Sequence, residues 1–296
     1  MAWLGICTPQ PELGTPSGVF GILRELSDDE YSRYVESASE VGRFRRKRQL
    51  MEIVRANHND YIVTLNNISK LSLSISSPDT SFEAANSFVV GVNRTLLNLF
   101  ASIRTYLDHS ETWLKRECGD NSSEVNSFKT VTSYEYDSNW AYRFIYKLRN
   151  FSQHCGLPLG ELKAFATTDV QQGSDPTMTV DLFFLRDYLL TNFDSWGTVK
   201  KDLQEQSERF AVTPLVEAII PSLERVEKTL VKAESGRVTS HVDYLTQLAD
   251  EAGRQTGHPC IYTSYKIEGQ RVDASLQRLH LDLIRETRRL IRDAAE

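Results

Sequence analysis

The chain has 296 residues, 40% of them apolar, enough for one large or two modest domains with a real core, and a net charge of −6. That acidic balance weighs against a dedicated nucleic-acid binder, whose surface normally offsets phosphate charge, although local basic patches can still do that work. The four cysteines, Cys7, Cys118, Cys155 and Cys260, form no CxxC pair and no regular spacing, so neither a zinc site nor a disulfide framework is indicated, which suits a reducing cytosol.

The opening MAWLGICTPQPELG has no basic n-region, and apolar runs elsewhere fall short of the roughly 20 residues that a span needs. The expectation is a soluble, cytoplasmic protein. No Walker A, GxGxxG, HExxH or GxSxG string occurs, so no cofactor and no metal is expected.

In chain order, residues 1–26 read as an irregular arm with one strand around Val19-Phe20-Gly21-Ile22-Leu23. Ser27-Asp28-Asp29-Glu30 supplies an N-cap and an acidic first turn. The helix it opens is expected to break near Gly42 or at 57–59 and to end by about Leu73. Residues 76–81 read as a loop. Over 82–118, Phe88, Val92, Leu96, Leu99, Phe100, Ile103, Leu107 and Leu114 recur at helical spacing, which predicts a long core helix. A polar link over 119–127 follows. From about Asp137 a helix carries Trp140, Phe144, Ile145, Leu148 and Phe151 and must stop near Gly156 and Pro158.

Beyond it the period changes to two, predicting a β-hairpin at about 163–185 that turns at Gly173-Ser174-Asp175-Pro176. Helices are expected over 186–209 and 213–235, the second opened by Thr213-Pro214 and ended by Gly236. The tail, 237–296, reads as helix 238–252, strand 260–267 and helix 272–294. The whole is mainly α: an antiparallel helical bundle over 27–236 with an inserted hairpin and a small α+β C-terminal extension.

Two stretches carry charge or chemistry worth weighing. In Arg43-Phe44-Arg45-Arg46-Lys47-Arg48, five of six residues are cations. They read as a solvated helix face paired with Glu36, Glu40 and Glu52, or as a phosphate-contacting patch using Arg45, Arg46 and Arg48. The second stretch is Arg149-Asn150-Phe151-Ser152-Gln153-His154. An Arg and a His five positions apart is weak evidence alone, since Arg104 and His109 share the spacing.

Position separates the two pairs. On an uninterrupted helix Arg149 and His154 lie about 140° apart, and Asn150 and His154 about 40°. Convergence needs the long Arg side chain and a relaxed helix end, which Gly156 and Pro158 supply, whereas His109 sits in mid-helix. A helix C-terminus also favours a cation at His154. Arg143 and Lys147, on the approach to the motif, read as an extension of a phosphate track or as solvated. Tyr106, Trp140, Tyr142 and Tyr146 read as core rather than as base-stacking surfaces. Cys155 reads as a buried thiol rather than a nucleophile, because no second histidine or oxyanion motif accompanies it.

The string YKLRNFSQHCGLPL, on an aromatic-rich helix that follows the long helix VNRTLLNLFASIRTYLDH, resembles the HEPN superfamily. These are helical-bundle proteins whose signature is Arg, a polar residue, three variable residues, then His. The resemblance runs from about residue 88 to about 235 and takes in VDLFFLRDYLLTNFDSW. It implies a metal-independent endoribonuclease in which His154 is the acid or base, Arg149 clamps the scissile phosphate and Asn150 orients the imidazole or contacts the phosphate. One histidine cannot readily fill both proton-transfer roles, so the resemblance implies a homodimer with Arg149, Asn150 and His154 of both copies lining one cleft. It further implies RNA products with 2′,3′-cyclic phosphate and 5′-hydroxyl ends, and a toxin-like role in stress or phage defence with a neutralising antitoxin partner. The alternative is a non-catalytic helical module that dimerises or binds RNA or protein, its Arg/Asn/His cluster serving only to satisfy a helix end.

Overall fold

The computed structural model describes residues 1–9, 18–67, 78–167, 177–253, 257–269 and 271–296. In chain order its elements are β1 (Ala2–Pro9), β2 (Gly18–Leu26), α1 (Asp28–Asn66), α2 (Pro78–Cys118), α3 (Ser123–Ser138), α4 (Trp140–His154), β3 (Glu161–Thr167), β4 (Thr177–Leu185), α5 (Arg186–Asn192), α6 (Val199–Gln204), β5 (Arg209–Ala211), α7 (Thr213–Ala252), β6 (His258–Glu268), β7 (Arg271–Arg278) and α8 (Leu281–Ala295). The described residues are mainly helical, with two antiparallel sheets. No described helix is long and apolar enough to cross a membrane. The expected hairpin turn at 173–176 lies outside the described residues.

The chain divides into two compact units, not at the 26/27 and 236/237 boundaries that sequence suggests. A terminal unit joins Met1–Arg48 to Val231–Glu296, and a central unit holds Gln49–Leu230. In the terminal unit the strand expected around Val19–Leu23 is present as β2, and the stretch before it, expected to be irregular, holds a second strand, β1, paired with it. They join the tail in one sheet of order β2-β1-β6-β7, in which Leu4 faces Leu4's partner Ile261 and Trp3 faces Tyr262. Alternation along the strands sends Leu4, Ile6 and Ile261 into a core with Tyr34, Val41 and Phe44 of α1 and with Val242, Leu245 and Leu248 of α7.

Ser27 caps α1 reciprocally with Glu30: the Glu30 amide donates to Ser27 Oγ at 3.2 Å, and the Ser27 amide donates to Glu30 Oε2 at 2.8 Å. Residues 271–278, expected inside a helix, form edge strand β7 instead. A turn through Gly269, at φ +62°, folds them back on β6, and pairing from Glu268↔Arg271 to Cys260↔Arg278 overrides the helix propensity of the Ala, Leu and Gln they contain.

The central unit packs α2, α3 and α4, with the flanking parts of α1 and α7, around one core that includes Tyr61, Leu96, Phe100, Phe144, Phe151, Trp196 and Leu223. The predicted hairpin is present as β3 and β4, and the short β5, unmarked by any period, extends it to three strands. The long core helix is present and starts at Pro78, inside the stretch read as a loop. Residues 123–127, read as a polar link, instead begin α3: the Ser122 hydroxyl accepts from the Val125 amide at 3.2 Å, and Val125, Phe128 and Glu135 are buried. The helix expected over 186–209 is two short ones, parted near Gly197, whose φ is +59°.

Two expected helix ends are absent. α1 runs unbroken through Gly42 and 57–59, and α7 runs through Pro221 and Gly236. A lone glycine costs about 1 kcal/mol relative to alanine, and burial of Val41, Phe44, Met51, Val54 and Tyr61 on α1 outweighs it.

Candidate active site

The helix that carries the motif is fixed at both ends. At its start the Asn139 side chain accepts from the Ala141 and Tyr142 amides at 2.9 and 3.4 Å, while its Nδ2 donates to Ser222 Oγ at 2.8 Å. Along its length Ala141, Tyr142, Phe144, Ile145, Leu148 and Phe151 are buried. Phe144 and Phe151 stack on Trp196, with ring centroids 5.9 and 6.1 Å apart, and Trp196 Nε1 donates to the Leu189 carbonyl at 3.2 Å. Burial pushes the Tyr142 phenol well up. Trp140, Tyr142 and Tyr146 are thus used in packing, as is Tyr106, whose hydroxyl donates to Glu227 at 2.8 Å.

At its far end α4 stops at His154, where the Cys155 amide makes the last helical bond, to Phe151 O at 2.8 Å. The following segment is pinned. The Leu159 amide donates to Oδ1 of the buried Asn93 at 3.3 Å, and the Gly160 amide donates to Phe183 O at 3.0 Å. Gly156 lies under the hydroxyl of the exposed Tyr188, which would have to shift to admit a Cβ there. Nothing local marks Tyr188 as a neighbour of the motif, because the whole hairpin separates them in sequence.

Within the motif, Arg149 is half-buried. Its Nη1 donates to Asn150 Oδ1 at 3.3 Å, and its buried Nε has no hydrogen-bond partner. His154 is exposed and makes no hydrogen bond or ion pair among the described residues. The structure therefore brings Arg149 and Asn150 into contact, while no hydrogen bond links either to His154. Cys155 is exposed, contrary to the expectation of a buried thiol, because the helix ends one residue before it.

The expected phosphate-binding cations divide. Arg143 is engaged: Nε donates to Asp202 Oδ2 at 2.7 Å and Nη1 to Asp137 O at 3.2 Å. Lys147, half-buried, forms no ion pair among the described residues. Arg45, Arg46 and Arg48 belong to the terminal unit and Arg149 to the central one. Arg48 is buried and donates to Glu234 Oε2 at 2.9 Å, and Lys47 binds the same carboxylate at 2.6 Å. Arg45 faces Glu286 at 3.7 Å and Arg43 faces Glu40 at 2.9 Å, which leaves Arg46 as the exposed cation of that run. The phosphate-contacting reading of Arg48 is thus corrected: its charge is spent on a buried carboxylate that lies far along the sequence.

Among the described residues, no group of three His, Cys, Asp or Glu side chains is placed to hold a metal ion. No family model matches the chain, and neither a curated protein nor a solved structure matches it.

Proposed function

We propose that the chain is a HEPN-type, metal-independent endoribonuclease of the cytoplasm, working as a homodimer whose two motifs share a cleft. The observation that carries the reading is the condition of His154: it stands in solvent at the end of α4 with no hydrogen bond among the described residues. A histidine serving only to satisfy a helix end is expected to be bonded to carbonyls. Arg149, held from one side by the Nη1 bond to Asn150, keeps Nη2 for an anion.

In this reading His154 moves the proton between the ribose 2′-hydroxyl or the 5′-oxygen leaving group and solvent. Arg149 stabilises charge developing on the scissile phosphate, and Asn150 sets the guanidinium. Attack of the 2′-oxygen on phosphorus forms the 2′,3′-cyclic phosphate as the P–O5′ bond breaks, and the departing oxygen takes a proton to become the 5′-hydroxyl. A second histidine, from the other copy, supplies the complementary proton transfer. Leu157, 54% exposed, and Tyr188, 38% exposed, offer apolar surface beside the motif for that copy to cover. A toxin-like role with a neutralising protein partner belongs to the same reading.

A second reading, a non-catalytic module that dimerises or binds RNA or protein, is favoured by ion pairs that withdraw cations from each candidate phosphate-contacting patch taken by itself, Arg143 with Asp202 in the central unit and Lys47 and Arg48 with Glu234 in the terminal one. Incubation with total RNA in EDTA, followed by analysis of fragment ends, separates the two. The nuclease reading expects cyclic-phosphate and 5′-hydroxyl ends, lost in folded His154→Ala and Arg149→Ala variants. Intact RNA, or cleavage that survives both substitutions, favours the binding module.

A further inference from the structure

A cavity of about 310 Å³ opens in the terminal unit, remote in sequence from the motif and independent of the nuclease reading. Its walls are Ala38, Val41, Leu245, Leu279, Leu283 and Ile284, an apolar surface drawn from α1, α7 and the junction of β7 with α8. Val41, Leu245, Leu279 and Ile284 are buried at its floor, whereas Ala38 and Leu283 are half-exposed. A concave apolar site of this size with a few convergent polar groups is the usual form of a small-molecule pocket.

The polar groups give the sign of the ligand. The buried Tyr34 donates its hydroxyl hydrogen to Gln277 Oε1 at 3.1 Å, which fixes the carboxamide and leaves Nε2, a donor, without a partner among the described residues. Burial pushes the Tyr34 phenol up to about 12, so it stays neutral beside an anion. His280, exposed and free of hydrogen bonds among the described residues, precedes α8 and provides no side-chain cap for its first turn. The uncapped amides of that turn add positive partial charge at the same wall. Asp282, the acid of the turn, is fully exposed and faces Arg285 at 3.6 Å. Among the described residues no carboxylate lines the cavity, whereas Arg278, at the end of β7, does and adds a full positive charge to its lining.

We propose that this cavity binds a small amphipathic carboxylate, its apolar body against Val41, Leu245 and Ile284 and its carboxylate at Gln277 Nε2 and His280. The test titrates the full chain with octanoate and, separately, with 1-octanol, following heat and the backbone amide signals of 279–284. Octanoate is expected to saturate one site and shift those signals. Octanol, lacking the anion, should bind about tenfold more weakly. Ala38→Trp and Leu283→Trp each fill the cavity from a half-exposed position, and either one that folds should lose octanoate. Gln277→Leu should weaken octanoate and leave octanol unchanged. Absence of saturation, undiminished binding in the folded tryptophan variants, or octanol binding as tightly as octanoate would overturn the proposal.

Discussion

Glu135 shows how a single polar residue is settled inside this fold. It is fully buried on α3 and accepts from Arg225 Nε and Nη2 at 2.6 and 2.7 Å, and those hydrogen bonds hold its carboxyl below the ordinary 4.5 against the opposing effect of burial. The unfolded chain therefore binds more protons than the native one as pH falls below the ordinary value, and the stabilisation is lost as pH drops through the lowered native pKa. Glu135→Gln should cost about 1–3 kcal/mol at neutral pH, toward the lower end because Arg225 is half-exposed. Urea unfolding at neutral and acid pH checks this: the gap between wild type and variant should shrink on acidification, and a gap that stays constant would reject the linkage.

Gly156 makes a second residue-scale prediction. The Tyr188 hydroxyl occupies the place of its missing Cβ, so Gly156→Ala should destabilise by about 1–2 kcal/mol through overpacking. The same change should cost markedly less in a Tyr188→Phe background, where the crowding oxygen is gone. A double-mutant cycle by thermal unfolding reads the difference, and equal costs in both backgrounds would mean that the tyrosine does not lie there. At this scale the candidate motif was legible in the sequence, since Arg149, Asn150 and His154 sit at a helix end announced by Gly156 and Pro158. The exposure of Cys155 and the capture of Arg48 by Glu234 were not, because both depend on where distant segments lie.

Among the elements, periodicity served well where one face is buried against one neighbour. It found α2, the buried stripe of α4 and the alternation of β3 and β4. It missed β1, β5 and β7, which become strands by pairing: β1 lies against β6 from the other end of the chain, β5 joins β4, and the Arg271–Arg278 segment, which would suit a helix if left alone, folds back on β6. Gly236 misled in the opposite direction. As a helix terminus it would adopt a left-handed conformation, whereas here it lies inside α7, outside the positive-φ glycines, with open space where a Cβ would stand. Gly236→Ala should therefore stabilise the protein by about 0.5–1 kcal/mol, measured by thermal or denaturant unfolding. Destabilisation would instead mark a left-handed helix end at this position and contradict an unbroken α7.

For the molecule as a whole, sequence gave the balance of helix over strand but not the division into units. β1, at the start of the chain, pairs with a strand that starts at His258, a separation that no local pattern reports. The same non-locality bears on function. The motif lies in the central unit with its own packing, from the Asn139 cap to the Asn93 and Phe183 bonds beyond it, so substitution of a solvent-exposed His154 should leave the fold intact. That makes loss of activity interpretable as loss of chemistry. The most direct measurement is cleavage of RNA in EDTA by the wild type and by His154→Ala at matched unfolding temperature. The account predicts fragments ending in 2′,3′-cyclic phosphate from the wild type and none from the variant. Equal cleavage by both, or none by the wild type on any RNA class, would contradict it.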